Sequence, residues 1–256
     1  MTTDAANAVE EIHRLLRPGV TLRAAAPGIL SALPLDAPSH PYDAKAAIYD
    51  LVVARRLYNR ILWGANRDDY SAFERLAVDA PRRGWMLGAG CGSLVFTHRI
   101  YARYAGPPIV LVDRSLGMLL RARQRLRGQE TTANLVFLQA DLLELPFRAG
   151  QFETISCPGL LHLFADTRPL IESLCQSLAP QGGMYFTSLV DRPERKFAGR
   201  YLRWLERNGE VASPRTLPEV NELLSEFETL KCLYCTARGN MAYLANRPFW
   251  DAEAAR

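Results

Sequence analysis

Between residues 85 and 190, short apolar runs alternate with segments of helical period, and this alternation most constrains the fold. The apolar runs have the length of β-strands and cover residues 85–89, 108–113, 135–140, 152–158 and 183–190. The segments with helical spacing lie between them, over Leu94–Tyr104, Ser115–Leu126 and Thr167–Leu178. Strands that alternate with helices form a parallel sheet through right-handed crossovers. The sequence therefore predicts an α/β fold with a doubly wound, mostly parallel sheet.

The two ends of the chain depart from this alternation. In residues 1–80 the pattern predicts helices only, over Asp4–Leu16, Leu22–Leu33, Asp43–Trp63 and Asp69–Val78. Near the other end, a helix is predicted over Leu217–Phe227, followed by strand-like runs at 229–237 and 241–246. The Arg-Gly-Asn link between these runs is typical of an antiparallel hairpin. We therefore expect an N-terminal helical cap (1–80) and a domain (81–256) with a seven-stranded sheet that ends in this hairpin, and with a lid inserted at about residues 191–216.

The segment WMLGAGCGSLVF, residues 85–96, runs from a predicted strand into three glycines and then into a predicted helix. Glycines at such a turn let the backbone approach a ligand closely, with the N-terminus of the helix facing it. Gly88 and Gly90 fit the dinucleotide fingerprint G-x-G-x-x-G, but its third glycine would fall at Ser93. The third glycine is instead Gly92, so the loop is of the G-x-G-x-G type.

Acidic residues end the next two predicted strands. Asp113 lies about 20 residues beyond the loop, where a carboxylate can accept both hydroxyls of a ribose. It could also be the N-cap of the helix that follows. Asp141 ends the third strand, where it could accept from an adenine amino group with Leu142 packed on the ring, or act as a capping residue.

The cysteines favour a reducing compartment and no metal site. Five cysteines are scattered along the chain, which indicates free thiols in a cytoplasm rather than a disulfide framework. Cys232 and Cys235 have the spacing of metal ligands, but on a strand residues three apart point to opposite faces. They are predicted to be small buried hydrophobic residues.

Charge and hydropathy limit the classes of partner and the cellular location that the sequence favours. The net charge of +4 comes mainly from arginine, and the arginines of residues 121–127 would be spread around a helix, which favours a solvated surface over a nucleic-acid site. No apolar run approaches the roughly 18 residues of a membrane span. The N-terminus lacks the apolar core of a secretion signal. The sequence predicts a cytoplasmic protein that binds neither nucleic acid nor membrane, and it predicts no particular oligomeric state.

Taken together, these motifs resemble the class I S-adenosylmethionine-dependent methyltransferases, which have a Rossmann-like fold, and especially their small-molecule, ubiquinone/menaquinone-biosynthesis-like group. The matching segments are LGAGCG (87–92), VDRSLGML (112–119), Ala140-Asp141 followed by LPF, QFETIS (151–156) and the segment 160–189 with its Pro-Gln-Gly-Gly. The resemblance covers about residues 80–246. The chain departs from the family's pattern at Met86, Glu153 and Gln181, where the family usually has aspartate, aspartate and glycine.

The resemblance implies S-adenosyl-L-methionine as cofactor and a set of residues that bind it. The glycine loop would line the methionine part of the cofactor, Asp113 the ribose, Asp141 and Leu142 the adenine with Arg114 flanking it, and the backbone near Cys157 the ammonium. The loop residues implied are Gly88, Ala89, Gly90 and Gly92. The family's acid at position 86 often helps to orient the methionine end, so Met86 suggests weaker binding or an altered use of the cofactor.

Methyl transfer needs alignment of the acceptor and exclusion of water more than it needs a catalytic triad. A general base helps when the acceptor is a hydroxyl or a carbon acid. The candidates are His162 and Tyr42, although His162 could be structural. Phe197, Tyr201 and Trp204 could cover a small acceptor or simply pack.

The function predicted is methyl transfer to an oxygen or carbon, less readily a nitrogen, of a small organic molecule in specialised metabolism. One alternative is a methyltransferase fold repurposed as a cyclase, a pericyclase or a cofactor-binding protein, which Met86 favours. A nicotinamide-dependent oxidoreductase is disfavoured by Ser93 and by the terminal hairpin.

Overall fold

The structure, a computed structural model, describes residues 3–44, 55–128, 134–212, 214–250 and 253–254. Within these residues, ten strands form one sheet in the order β1-β2-β5-β4-β3-β6-β7-β9-β8-β10. The strands are β1 (Arg23–Ala26), β2 (Ile29–Ser31), β3 (Trp85–Ala89), β4 (Ile109–Asp113), β5 (Leu135–Gln139), β6 (Phe152–Pro158), β7 (Leu178–Leu189), β8 (Tyr234–Arg238), β9 (Met241–Ala245) and β10 (Glu253–Ala254). From β2 to β7 neighbouring strands are parallel, and the other pairings are antiparallel.

Helices cover both faces of this sheet. The α-helices of the described chain are α1 (Thr3–Leu15), α2 (Arg56–Tyr58), α3 (Arg67–Val78), α4 (His98–Tyr101), α5 (Leu116–Arg125), α6 (Arg168–Ser177), α7 (Lys196–Arg207) and α8 (Leu217–Ser225). A π-helix continues α2 over Asn59–Trp63, and short 3-10 helices lie at Leu142–Glu144, Leu161–Leu163 and Glu228–Leu230. No helix of the described chain is long and apolar enough to cross a membrane.

The central strands are buried on both faces, which is why they appear in the sequence as continuous apolar runs. In β3, Leu87 and Ala89 belong to one core cluster and Met86 to the cluster on the opposite face. Side chains of α1 and α6 pack in the first cluster, and side chains of α3 and α5 in the second. The predicted α/β class, the doubly wound sheet and the terminal antiparallel hairpin are confirmed.

The terminal hairpin turns through Gly239 and Asn240 and is anchored to residues far away in the chain. The Asn240 backbone N–H donates to the carbonyl of Trp63 (2.6 Å), and its side-chain amide donates to the carbonyl of Val190 (2.9 Å). A side chain at Gly239 would collide with the Trp63 carbonyl. The hairpin therefore joins the end of β7 to the end of the π-helix.

The helix predicted at Leu22–Leu33 is wrong, because this segment forms the β1–β2 hairpin. Its turn is Pro27-Gly28, in which proline lacks a backbone N–H and Gly28 adopts a φ of 70°. β2 then pairs in parallel with β5 and extends the sheet at that edge. The N-terminal region is thus not wholly helical, and the sheet has three more strands than predicted, namely β1, β2 and β10. A domain division near residue 80 stays a prediction.

Other predicted elements differ in extent. The helix predicted over 43–63 includes residues 45–54, which lie outside the described residues, and its last part is α2 and the π-helix. The helix predicted from Leu94 begins only at His98, because Leu94 itself takes a φ of 55°. The strand predicted from residue 229 begins at Tyr234, since Glu228–Leu230 forms a 3-10 turn that buries Leu230.

Gln181, which replaces a glycine of the family's pattern, has a φ of 62° and an exposed side chain. A Cβ in the left-handed region costs about 1–2 kcal/mol, and glycine avoids this cost. We expect Gln181→Gly to be more stable than Gln181→Ala by about 1 kcal/mol, measured by urea unfolding. The order should reverse at Glu172, an exposed residue inside α6, where glycine is the poorer helix former. Equal stability of the two Gln181 variants would contradict the expectation.

Candidate functional site

The glycine loop follows β3 at the edge of the sheet where the parallel strands have their carboxyl ends, which is where open α/β sheets bind ligands. Gly90 and Gly92 have φ values of 65° and 55°. A Cβ at Gly90 would collide with the Leu160 side chain, whereas a Cβ at Gly92 would meet no atom within 4 Å. The Cys91 N–H donates to the Val112 carbonyl (3.0 Å) and holds the loop against β4. The loop thus presents backbone to open space at Gly92.

Leu94 continues the loop in a conformation that is unusual for a residue with a side chain. Its φ is 55°, and its side chain is buried in the cluster under the loop. Such backbone costs about 1–3 kcal/mol and is found where a site requires it. The strained turn brings residues 94–97 around the cavity beside the loop before α4 begins.

Asp113 connects the glycine loop to the start of α5. Its carboxylate accepts from the backbone N–H of Gly92 (2.8 Å) and from that of Ser115 (2.9 Å). Burial raises the pKa of Asp113 to about 6, against the effect of these two donors. Each carboxylate oxygen has a second lone pair, so the group can still accept from a ligand. The N-cap of α5 is not Asp113 but Ser115, whose Oγ accepts from the Met118 N–H (3.2 Å).

Asp141 caps a short helix and pairs with Arg114. Its Oδ1 accepts from the Leu143 N–H (3.0 Å), and its Oδ2 lies 2.5 Å from Arg114 Nη1. The capping role considered for Asp141 is therefore present. Leu142, the predicted adenine contact, is buried in the core cluster. The adenine-binding roles of these three residues stay predictions.

A segment before the undescribed residues docks against the start of α5. Asp43 Oδ1 accepts from Ser115 Oγ (2.7 Å) and from the Gly117 N–H (3.0 Å), while its Oδ2 accepts from the His40 N–H (2.9 Å). The backbone of Asp43 lies so close that a Cβ at Gly117 would be 2.9 Å from its carbonyl oxygen. The sequence predicted Asp43 only as a helix N-cap. The motif DRSLG does carry the matching Ser and Gly, but nothing in it indicates this partner.

Tyr42 lies in this same segment. Its ring stacks on His40 at a centroid distance of 5.6 Å. Its pKa is raised by burial first, and then by the charges of Glu210 and Asp113. Tyr42 therefore lies near Asp113, the residue predicted to bind the ribose, and near Glu210 of the predicted lid. Its raised pKa keeps the phenol neutral at physiological pH.

A small cavity opens beside the glycine loop. Its walls are the loop itself, Tyr70 and Glu74 of α3, Tyr101 of α4, and Pro158 and Gly159 at the end of β6. Glu74 is only 3% exposed, and its carboxylate accepts from Tyr101 Oη (2.5 Å) and from Ser156 Oγ (2.6 Å). Burial raises the pKa of Glu74. Glu74 is not among the site residues predicted from the sequence, although an acid on the buried face of a helix is a signal that could have found it.

His162 lies in the 3-10 helix Leu161–Leu163 beneath the end of β7. Its Nδ1 accepts from the Leu189 N–H (3.2 Å), with Ser188 Oγ 3.5 Å away. Burial lowers the pKa of His162 to about 4. The ring is therefore neutral near pH 7, and because Nδ1 is the acceptor the proton is carried by Nε2. In this state the imidazole has no free lone pair with which to act as a base.

The structure brings only part of the predicted set together. Gly88, Gly90 and Gly92 line the cavity, and Asp113 is bonded to the last of them. Ala89 and Cys157 are fully buried in the core cluster on the opposite face of the sheet. The backbone of Cys157 is paired with β7, and burial raises the pKa of its thiol.

The aromatic residues of the predicted lid pack on the π-helix. The ring centroids of Tyr201 and Trp63 are 5.5 Å apart, and the Tyr201 hydroxyl lies 3.3 Å from that of Tyr58. Trp204 stacks on Tyr201 at 5.5 Å and remains 53% exposed. These contacts provide packing, and the covering role of residues 191–216 stays a prediction.

Comparisons with known proteins agree with this fold and loop. The family model described as a methyltransferase domain matches residues 86–182. The demethylmenaquinone methyltransferase of Thermus thermophilus is 30% identical over 204 residues, which are 73% of this chain and 88% of that protein. The ubiquinone/menaquinone biosynthesis C-methyltransferase of Pseudomonas putida is 28% identical over 163 residues, covering 62% of this chain and 60% of that protein.

A solved structure gives the same architecture. The geranyl diphosphate C-methyltransferase of Streptomyces coelicolor, in complex with S-adenosyl-L-homocysteine, superposes with a TM-score of 0.58 over 82% of this chain and 98% of that one, at 11% identity. At that identity the likeness supports the fold alone. The matched domain and the extent of similarity to the Thermus enzyme show that the chain belongs to the class I S-adenosylmethionine-dependent methyltransferases and uses S-adenosyl-L-methionine as its cofactor.

Proposed function

We propose that the enzyme transfers a methyl group to a carbon or an oxygen of a small organic molecule, with a ring of the quinol class as the first acceptor to test. The observation that carries this proposal is the similarity to a demethylmenaquinone methyltransferase across 88% of that protein's length. Transfer to nitrogen is the less favoured variant. A role in specialised metabolism remains a prediction.

The residues around the glycine loop fit the cofactor. The left-handed backbone at Gly90 and Gly92 permits close approach, and the buried Asp113 carboxylate keeps two lone pairs for the hydroxyls of a ribose. The cofactor supplies an electrophilic methyl group on a sulfonium. On this proposal, the protein holds the methionine part in the cavity beside the loop and the adenine near the Arg114–Asp141 pair.

Aromatic side chains at the mouth of the cavity suit a flat acceptor. The rings of Tyr70 and Phe96 have centroids 5.3 Å apart, and the guanidinium of Arg67 lies 5.8 Å from the centroid of Phe96. The Tyr70 hydroxyl faces Gly159, because a Cβ built there would lie 3.6 Å from it. These groups can align a ring over the loop and exclude water, which are the two things that methyl transfer requires of the protein.

Neither of the two predicted bases, His162 and Tyr42, is a strong base in this structure. His162 has its acceptor nitrogen occupied and a pKa lowered to about 4 by burial. Tyr42 has a raised pKa, so it is a neutral donor near pH 7. We infer that the acceptor loses its proton mainly by its own ionisation, and that the enzyme contributes orientation. A catalytic role for either residue stays a prediction that substitution can test.

The alternative of a repurposed fold depended on Met86. The Met86 side chain is apolar and is fully buried in the core. It therefore offers no acidic group to the loop. The Glu74 carboxylate lines the cavity beside the glycine loop, so the site has an acidic group despite Met86, and the reason that Met86 gave for the repurposed alternative is weakened.

The first prediction from the proposal concerns the reaction itself. The purified enzyme, given S-adenosylmethionine and a set of demethylated quinols and phenols, should form S-adenosylhomocysteine and a methylated product in equal amounts. Mass spectrometry of both products checks this balance, with reactions lacking the acceptor as the control. A rearranged acceptor without S-adenosylhomocysteine would support the repurposed alternative instead.

Asp113→Asn should weaken S-adenosylhomocysteine binding by about 10- to 100-fold, since hydrogen bonds to a charged group contribute about 1.5–3 kcal/mol. The wild-type affinity should also fall below pH 6, because the raised pKa of Asp113 means that its carboxyl is then protonated. Isothermal titration calorimetry measures both effects. Asp166→Asn is the matched control, because Asp166 accepts from the N–H two residues ahead just as Asp113 does, but at another turn. Equal affinities of the two variants would refute the ribose assignment.

His162→Asn should retain most of the activity and His162→Ala should lose stability, because asparagine offers an oxygen to the Leu189 N–H and alanine leaves it without a partner, at a cost of about 1–3 kcal/mol. The folded-state pKa of about 4 lies below the ordinary histidine pKa of 6.5, so the unfolded state binds more protons between these values. Wild-type stability should therefore fall as the pH drops from 6.5 towards 4, and His162→Asn should lack this component. Loss of turnover in both variants at unchanged stability would instead identify His162 as a base.

A further inference from the structure

We propose that Glu74 of α3 binds the ammonium group of the cofactor's methionine part and so supplies the carboxylate that Met86 cannot. This inference rests on the proposed placement of the cofactor at the glycine loop. It assigns a cofactor contact to a helix that precedes the loop in sequence and lies outside the family's motifs in this chain.

The position of Glu74 relative to β3 carries the argument. Met86 and Gly88 are two residues apart on one strand, so they face the same side of the sheet. α3 packs on that side, where Phe73 belongs to the same core cluster as Met86. The Glu74 carboxylate is bonded to Ser156, the residue opposite Gly88 in the pairing of β3 with β6. The carboxylate therefore lies at the level of Gly88, two residues beyond Met86 along β3 and closer to the glycine loop.

A second contact places the Glu74 carboxylate at the same level along β3. Tyr101, the other donor to Glu74, has its hydroxyl 3.7 Å from the Cβ that a residue at Gly88 would carry. Together, Tyr101 and Ser156 hold both carboxylate oxygens at the wall of the cavity. Each oxygen accepts one hydrogen bond and has a lone pair left for a further donor.

The electrostatics around Glu74 favour a cation. The titratable groups that face it are the thiols of Cys91 and Cys157 and the phenols of Tyr70 and Tyr101, and none of these carries a positive charge. Among the residues that the structure describes, Glu74 makes no ion pair. A buried carboxylate without a cation is costly, and an ammonium group entering the cavity would offset that cost.

A structural role for Glu74 would make different demands. If the residue only tied α3 to β6 and α4, a neutral glutamine would satisfy much of the same network, and the ligand's ammonium would be irrelevant. The two roles therefore differ in how a charge-removing variant responds to a ligand with and without the amino-acid part.

The test compares two ligands and two variants by calorimetry. S-adenosylhomocysteine carries the ammonium, whereas 5′-methylthioadenosine lacks the amino-acid part. Glu74→Gln should weaken binding of the first at least 10-fold and change binding of the second less than twofold. Glu153→Gln is the matched control, since the Glu153 carboxylate also accepts a hydrogen bond, from the Arg83 N–H, but lies at the start of β6, away from the cavity. Equal weakening of both ligands, or of neither, would overturn the proposal.

A measurement on the unaltered enzyme covers the case in which Glu74→Gln fails to fold. Titrations at a series of acidic to neutral pH values, in buffers of different ionisation enthalpy, report the protons released on binding. An ammonium beside Glu74 lowers its raised pKa, so S-adenosylhomocysteine should release more protons than 5′-methylthioadenosine does. Equal release would contradict the proposal. If Asp113→Asn also leaves both affinities unchanged, the cofactor placement itself is wrong; an effect at Asp113 alone rejects only the role of Glu74.

Discussion

The candidate site depends on one carboxylate, Asp113, which bridges two backbone N–H groups that no strand or helix satisfies. One of them belongs to Gly92 and holds the glycine loop against the end of β4. The other belongs to Ser115 and sets the turn into α5. Ser115 in turn donates from its side chain to Asp43, so the docking of the N-terminal segment rests on the same turn. A single acid thus positions the glycine loop, the start of α5 and the segment that contains Asp43.

Holding the loop in this conformation costs free energy. A bound ligand would offset part of that cost. Burial raises the pKa of Asp113, and hydrogen bonds from the backbone of Ser115, Gly92 and Arg114 oppose that rise. The backbone at Leu94 is strained as well. A ligand that donates to Asp113 would offset part of the cost of burying its carboxylate and so would stabilise the turn.

The central strands β3 to β7 could be predicted because they are buried on both faces, so their apolar runs depend little on distant neighbours. The β1–β2 hairpin could not, because the alanine-rich run 23–26 suits a helix or a strand, and only pairing with β5 decides between them. The glycine loop and Asp113 were predictable from spacing along the chain. The hydrogen-bond partners of Glu74 and the Asp43–Ser115 contact were not, since the residues that they join lie 27 to 82 positions apart.

Met86 departs from the family's motif, and the packing around it bears on which element could supply an acid to the site. Along the strand, the apolar Met86 replaces an acid, so β3 supplies no charge to the loop. On the sheet face, Met86 belongs to the core cluster that includes Phe73 of α3, so an acid at that position would be buried among apolar side chains. An acid that arrives from α3 reaches the cavity two residues further along, at the level of Gly88. If the methionine end requires a carboxylate, the packing of this face leaves the helix as the element able to provide it.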